Sequence, residues 1–211
     1  MNAEIKKVLE LHKKYLSGEV GGVKSNLSSA NLSSADLSSA DLCFANLSSA
    51  NLSSANLSYA DLSSADLCFA NLSSANLSSA DLSSANLSSA NLSSADLSSA
   101  DLSSANLSYA DLSSADLQKS KFSILNALRS NWGDVSEKLC LEMMRWDAIS
   151  CGDESIRKWV ETGECPFQNS EREFYFKENK KLWIPGTPKM NHRELWEALC
   201  AEKNIKIGGA E

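Results

Sequence analysis

The sequence predicts an all-β solenoid, closed at its N-terminal end by a helix and followed by a small, mainly helical C-terminal part. Three observations lead there. From Ser25 to Gln118, one five-residue word, Ala-(Asn/Asp)-Leu-Ser-Ser, recurs nineteen times, with no insertion, deletion, Gly or Pro. Leu stands at every fifth position from Leu27 to Leu117. Five is an odd number, so a straight strand would throw successive Leu side chains onto opposite faces. A helix of 3.6 residues per turn would instead smear them around its whole cylinder. A backbone that turns a corner in every word satisfies the period, and four words then close a coil of twenty residues. Such a unit cannot bury its apolar face alone and must stack on its neighbours.

The first element is a cap. Ile5, Val8, Leu9, Tyr15 and Leu16 recur at helical spacing over residues 3–17, and Gly18 stands where a helix stops. A stacked solenoid leaves unpaired edges at its ends, and residues 1–24 are expected to cover the first coil. Lys6, Lys7, Lys13 and Lys14 also fit a helix lying on a membrane surface, but one short helix with interleaved Glu binds lipid weakly.

In the repeats, the Leu column, with Leu27, Leu47, Leu67, Leu87 and Leu107 one coil apart, is the expected structural core. Burying each Leu contributes about 2 kcal/mol. Conformational entropy opposes this at about 1–2 kcal/mol per residue, so hydrogen bonds between coils must complete the account. The Asn/Asp position suits turn formation, because short polar side chains bond to nearby backbone N–H groups. Counting words in fours, Asp41, Asp61, Asp81 and Asp101 fall on one face as an acidic stripe. Phe44, Tyr59, Phe69 and Tyr109 replace the second Ser of their words; only Phe69 and Tyr109 share a face, as scattered surface aromatics do. Cys43 and Cys68 fall on different faces, which argues against a shared metal.

The word is similar to the A(D/N)LXX consensus of the pentapeptide repeat family. The resemblance covers residues 25–119 and continues more weakly through Ser120-Lys121-Phe122, Leu125-Asn126-Ala127 and Ser130-Asn131-Trp132. It implies a right-handed quadrilateral β-helix in which the Leu and the Ala two before it point inward and the last two residues of each word point outward. The near-identity of the words resembles a consensus-designed array as much as a natural one.

Residues 119–211 hold all five Trp and all three Pro. Asp134 with Glu137 reads as a capping pair opening a helix through about Ser150, with Leu139, Met143 and Trp146 along one side. A second helix is expected from Asp153 to Thr162, and short extended pieces at Phe174–Phe176 and Lys181–Ile184. Asn191 with Glu194 opens a last helix carrying Leu195, Trp196, Leu199 and Cys200. Three domains follow: 1–24, a helical cap; 25–134, the repeats; 135–211, a C-terminal α-rich domain. Cys140, Cys151, Cys165 and His192 lack a close CxxC pair, so ordinary thiols are favoured over zinc, and no cofactor is expected.

Residues 1–24 carry five Lys against three Glu, the repeats nine Asp with no Lys or Arg, and the tail balances. An acidic repeat surface repels phosphates, which argues against nucleic acid binding. There is no signal-like segment and no run long enough to span a bilayer, so no membrane association and a cytoplasmic location are expected. No His occurs between His12 and His192, so the repeats cannot build a Ser–His pair, and no catalytic residue is assigned. The favoured reading is a non-enzymatic structural scaffold or interaction module, with a protein partner or self-association through the C-terminal domain. The alternative, taken from quinolone-resistance members of the family that the acidic face resembles, is a DNA-mimicking inhibitor of DNA gyrase or topoisomerase acting through the acidic β-helix surface.

Overall fold

A computed structural model describes residues 3–122, 136–150 and 188–207. Three helices appear among them: α1, Ala3–Leu16; α2, Glu137–Ser150; and α3, His192–Glu202. The chain groups into two compact units, Met1–Trp132 with Cys200–Glu211, and Gly133–Leu199.

In the first unit the repeats form a solenoid with a coil of twenty residues. Each Asn or Asp pairs in parallel with the one twenty positions on, from Asn26↔Asn46 to Asp96↔Asp116. Each β-bridge between coils is one residue long, because the chain turns again before a longer strand can form. In every word the second Ser position has positive φ, from Ser29 (58°) to Lys119 (59°), and the following N–H closes a turn on the Leu carbonyl, as Ala75 does on Leu72 at 3.0 Å. A left-handed residue in the third position of a turn redirects the chain sharply. Each such L-residue costs about 1–2 kcal/mol, so the turn must be held by other bonds.

The word 71–75 shows how. The Asn71 N–H donates to the Ala50 carbonyl of the preceding coil at 2.9 Å, and Leu72 and Ser74 donate to Asn91 and Ser93 of the following coil at 2.7 and 2.9 Å. Ala75 closes the turn. The fifth donor, the Ser73 N–H, goes to the Asn71 side-chain Oδ1 at 3.1 Å. All five backbone N–H groups of the word are thereby accounted for, as buried backbone must be. The residue before Leu has to be Asn or Asp because only a short side-chain oxygen there reaches the one donor that the ladder leaves over.

The core is the Leu column. Leu27, Leu47, Leu67, Leu87 and Leu107 are 0–4% exposed, and Ala45 through Ala115 at five-residue steps are 0–1% exposed. Ala30, Ala35 and Ala40 of the first coil are half-buried, since no coil precedes them.

α1 ends in a Schellman motif: Gly18, φ 72°, donates to Tyr15 at 3.1 Å and Glu19 to Lys14 at 2.9 Å. Gly22 then lies against the helix so closely that a Cβ would come 2.3 Å from the Tyr15 nitrogen, and Val23 donates to the Leu11 carbonyl. These contacts bring the chain off the helix and into the first coil.

The far end of the same unit differs from an undivided 135–211 segment. Lys206 pairs in parallel with Asp116, as a residue twenty positions on would. α3 ends in its own Schellman motif around Asn204, φ 54°, with Ile205 donating to Cys200 at 2.9 Å. The chain thus returns after residues 133–199 and adds a corner to the solenoid.

In the second unit, α2 presents Leu139 and Met143 buried, and the Asn191–Glu194 capping box caps the start of α3: the Glu194 N–H donates to Asn191 Oδ1 at 2.9 Å and the Asn191 N–H to Glu194 Oε2 at 2.8 Å. Asp134, the expected helix 153–162, the extended pieces and Cys151 and Cys165 lie outside the described residues.

Candidate functional site

The outward groups of the solenoid are where function could reside, and most are committed to the turns. The Asn or Asp Oδ1 accepts the next Ser N–H, and in many words the Ser hydroxyl adds a second bond to the same oxygen, as Ser78 does to Asn76 and Ser93 to Asn91, both at 2.6 Å. Between coils, amide groups bridge some columns: Asn56 Nδ2 donates to Asp36 at 3.2 Å and Asn86 Nδ2 to Asp66 at 3.1 Å.

The face bearing Asp41, Asp61, Asp81 and Asp101 is different. The four pair consecutively, Asp41↔Asp61, Asp61↔Asp81 and Asp81↔Asp101, with no amide between them. Each spends Oδ1 on an N–H two residues on, at 3.4 Å to Cys43, 2.9 Å to Ser63, 2.8 Å to Ser83 and 2.9 Å to Ser103. Among the described residues no group bonds the other oxygen, except at the end of the column. There Lys121 occupies the next slot and its Nζ lies 3.1 Å from Asp101 Oδ2. The Ser103 hydroxyl and N–H, then Lys121, pull the Asp101 carboxyl down to about 2, so it stays ionised through any physiological pH. Asp36 is likewise lowered, first by the Ser38 hydroxyl and then by the Ser38 N–H. The opposite column reads Asn31, Asn51, Asn71, Asn91 and Asp111. Of the nine repeat Asp, four stand in the column of Asp41 and three more, Asp36, Asp96 and Asp116, in the column that also holds Asn56 and Asn76, so the column of Asp41 is the one among the repeats with no Asn.

Phe44, Tyr59 and Phe69 are exposed, at 48%, 69% and 65%. Cys43 and Cys68 each accept a hydrogen bond from the Ser one coil on, Ser63 at 3.1 Å and Ser88 at 3.2 Å. Among the described residues no three His, Cys, Asp or Glu side chains gather as metal ligands, and no helix is long and apolar enough to cross a membrane.

Two buried polar arrangements escaped the sequence reading. His12 of α1 is fully buried, and its Nδ1 accepts the Ser25 N–H at 3.0 Å while its ring stacks on Tyr15. This holds the entry to the first coil. Burial lowers the His12 pKa, against upward pulls from Asp41 and the Cys43 carbonyl and with a smaller lowering from Lys24. The folded pKa lies below the ordinary 6.5, so the unfolded chain binds the proton first as pH falls. The contribution is complete above that value and is lost as pH drops through it toward the folded pKa. Thermal unfolding is expected to be constant from pH 8 to 7 and to move to lower temperature as pH falls below about 6.5, with His12→Gln flattening that step.

The second arrangement lies on α2. Glu142 is 3% exposed, and its Oε2 accepts the Lys189 and Met190 N–H groups at 2.6 and 3.1 Å while Oε1 accepts from Arg145 at 2.7 Å. Burial alone would raise its pKa, but the bonds from Lys189, Arg145 and Met190 outweigh it and hold the carboxyl below its usual value. Trp146 Nε1 donates to the Met190 carbonyl at 2.7 Å and the Trp ring lies 3.6 Å from His192. A carboxylate this fully bonded fixes α2 to the segment before α3 and has no oxygen free for chemistry.

Comparison with known proteins concerns the repeats. A family profile for pentapeptide repeats matches in eight copies over residues 25–63, 50–92 and 85–123. No curated protein matches. Among solved structures, a pentapeptide repeat protein from Nostoc PCC 7120 shares 36% identity over 57% of this chain and 91% of its own, with a TM-score of 0.38. The protein Rfr23 from Cyanothece 51142 shares 34% over 53% and 84%, at 0.39. A protein of the Arabidopsis thaliana thylakoid lumen shares 33% over 43% and 67%, at 0.37. QnrB1, a plasmid-mediated fluoroquinolone resistance protein, shares 28% over 45% and 55%, at 0.29.

Proposed function

We propose, from the premise that this chain belongs to the pentapeptide repeat family, that it is a non-enzymatic scaffold that presents surfaces to a protein partner. The observation that carries this is the use of the outward polar groups. In word after word, the Asx oxygen and the first Ser N–H, often with the Ser hydroxyl, are consumed in holding the turn. Groups bound to their own backbone are not poised as nucleophiles or bases. What such a surface offers is fixed spacing along each face, repeated coil by coil.

The acidic column supports a second reading, inhibition of a DNA-binding enzyme such as gyrase by mimicry of DNA. Asp41, Asp61, Asp81 and Asp101 place carboxylates in sequence on one face, and a likeness to QnrB1 at 28% identity accompanies it. Function on a shared fold is analogy until a site is shown. The column ends in a Lys–Asp pair, and two of the other three faces carry mostly neutral Asn. We favour the scaffold.

A supercoiling assay with purified gyrase separates the two readings. The scaffold reading expects no change in supercoiling at micromolar protein. Inhibition that is lost when Asp61 and Asp81 are both changed to Asn would replace it with the mimicry reading.

A further inference from the structure

The last corner of the solenoid is made by a segment that the repeat pattern does not contain. In the repeats, four features define a word against the coil before it. The Asx residue pairs in parallel and donates its N–H to the Ala carbonyl twenty-one back, as Asp116 does to Ala95 at 2.9 Å. The preceding coil's Leu N–H donates to the Asx carbonyl, as Leu97 does to Asp116 at 2.8 Å, and the second Ser N–H of that coil donates across in the same way, as Ser94 does to Ser113. The residue two before the Asx has positive φ.

Lys203–Lys206 meets all four. Lys206 pairs with Asp116 and donates to the Ala115 carbonyl at 2.9 Å. Leu117 donates to the Lys206 carbonyl at 2.8 Å and Ser114 to the Lys203 carbonyl at 3.0 Å. Asn204 has φ 54°, and Ile205 stands in the Ala slot, 6% exposed. Only the chemistry has changed. An aliphatic residue replaces Ala, and Lys replaces Asn or Asp, with its Nζ 3.4 Å from Asp116 Oδ2.

We propose that this edge of the solenoid, formed by Ser114, Ala115, Asp116 and Leu117, is a strand-acceptor site. Its occupant is an extended peptide of a partner that carries a left-handed residue, then an aliphatic residue, then Lys. In this chain the site is filled by its own Lys203–Ile207. The inference rests on the reading of the protein as an interaction scaffold and names the class of partner that scaffold takes. Backbone bonds supply affinity, as in other additions of a strand to a sheet edge. Selectivity comes from two side-chain slots: the buried one that Ile205 fills, and the Asp116 carboxylate, which reads an ammonium. Lys121 occupies an equivalent slot above Asp101, so the solenoid accepts Lys on an Asp column at two places. The resident segment follows residues 133–199 along the chain and is no part of the continuous run of words from 25 to 122. Its departure would open the bonds to Ser114, Ala115 and Leu117 and the Asp116 pair, and would leave the bonds between words 25–122 in place.

The test uses full-length protein. Lys206→Pro removes the N–H that Ala115 accepts and should release the segment, while Lys206→Ala keeps that N–H and should leave it seated. A fluorescent peptide spanning residues 201–207 is titrated against wild type and both variants. The expected result is saturable binding to Lys206→Pro, with wild type and Lys206→Ala weaker by at least about tenfold, because an occupied site reduces apparent affinity by the fraction that is open. A peptide carrying the Pro substitution should bind none of them. Amide exchange at Leu117 and Ser114 reports whether the segment has left, and circular dichroism reports whether the solenoid persists. No binding to a folded Lys206→Pro protein whose Leu117 amide has become exchangeable would overturn the proposal and leave the scaffold reading standing. Binding that competes with self-association through another face, and is unaffected by the Pro in the peptide, would overturn it too.

Discussion

Replacing Leu77 by Ala is expected to lower the stability of the solenoid by about 3 kcal/mol. Leu77 is fully buried, in the slot that Leu57 fills one coil before and Leu97 one coil after, all at 0% exposure. The loss combines the transfer free energy of the removed methyl groups with a cavity that the neighbours cannot close. They cannot close it because each word is pinned to both adjacent coils by ladder bonds, here Asn76 to Ala55 and Leu77 to Asp96. Leu77→Met keeps the volume and should cost under about 1.5 kcal/mol. Urea unfolding followed by circular dichroism measures both, and equal losses for the two substitutions would contradict a close-packed Leu column.

The effect of deletions should be larger and should depend on length alone. Removing Ser78 shifts every later Leu out of the axis and every later Asx off its partner. It also leaves one turn without its left-handed residue. Cooperative unfolding is expected to disappear, because such a change undoes many ladder bonds at once. Removing residues 71–90, a whole coil, keeps every column in register and should leave a shorter, folded protein with a proportionately smaller unfolding amplitude. Removing residues 76–80 is the informative intermediate. The fold should survive, but every later word moves round by one face, so Asp81 and Asp101 leave the column of Asp41 and Asp61 and join that of Asp36 and Asn56. If the acidic face matters to a partner, this deletion abolishes binding while the full-coil deletion only weakens it.

Much of this was legible in the sequence because one constraint is repeated nineteen times. The period of five forces a turn per word, and the modulus of four assigns each Asx to a column, which the bridges place at i and i+20. The Asn191–Glu194 box was legible because its two bonds are local. The segment that fills the last corner was not. Lys203-Asn204-Ile205-Lys206 shares neither the Ala nor the Leu of the word, and its partner strand lies 90 residues back along the chain. Only Asn204, a residue tolerant of positive φ, hinted at a turn there. His12 was hidden for a different reason. A single His on an amphipathic helix looks the same whether it faces solvent or, as here, accepts the N–H of Ser25.

The central claim is that residues twenty apart lie side by side. It can be tested most directly with the native thiol of Cys43, whose Sγ lies 3.1 Å from the Ser63 hydroxyl. Under mild oxidation, Ser63→Cys should form a disulfide with Cys43 rapidly and nearly completely, since adjacent coils at about 4.8 Å fall within the Cα range such a bond accepts. Ser58→Cys, fifteen positions away and on another face, should not link to Cys43 under the same conditions. Peptide mapping identifies the bonds, and preferential linkage at fifteen, or none at twenty, would contradict the coil described here.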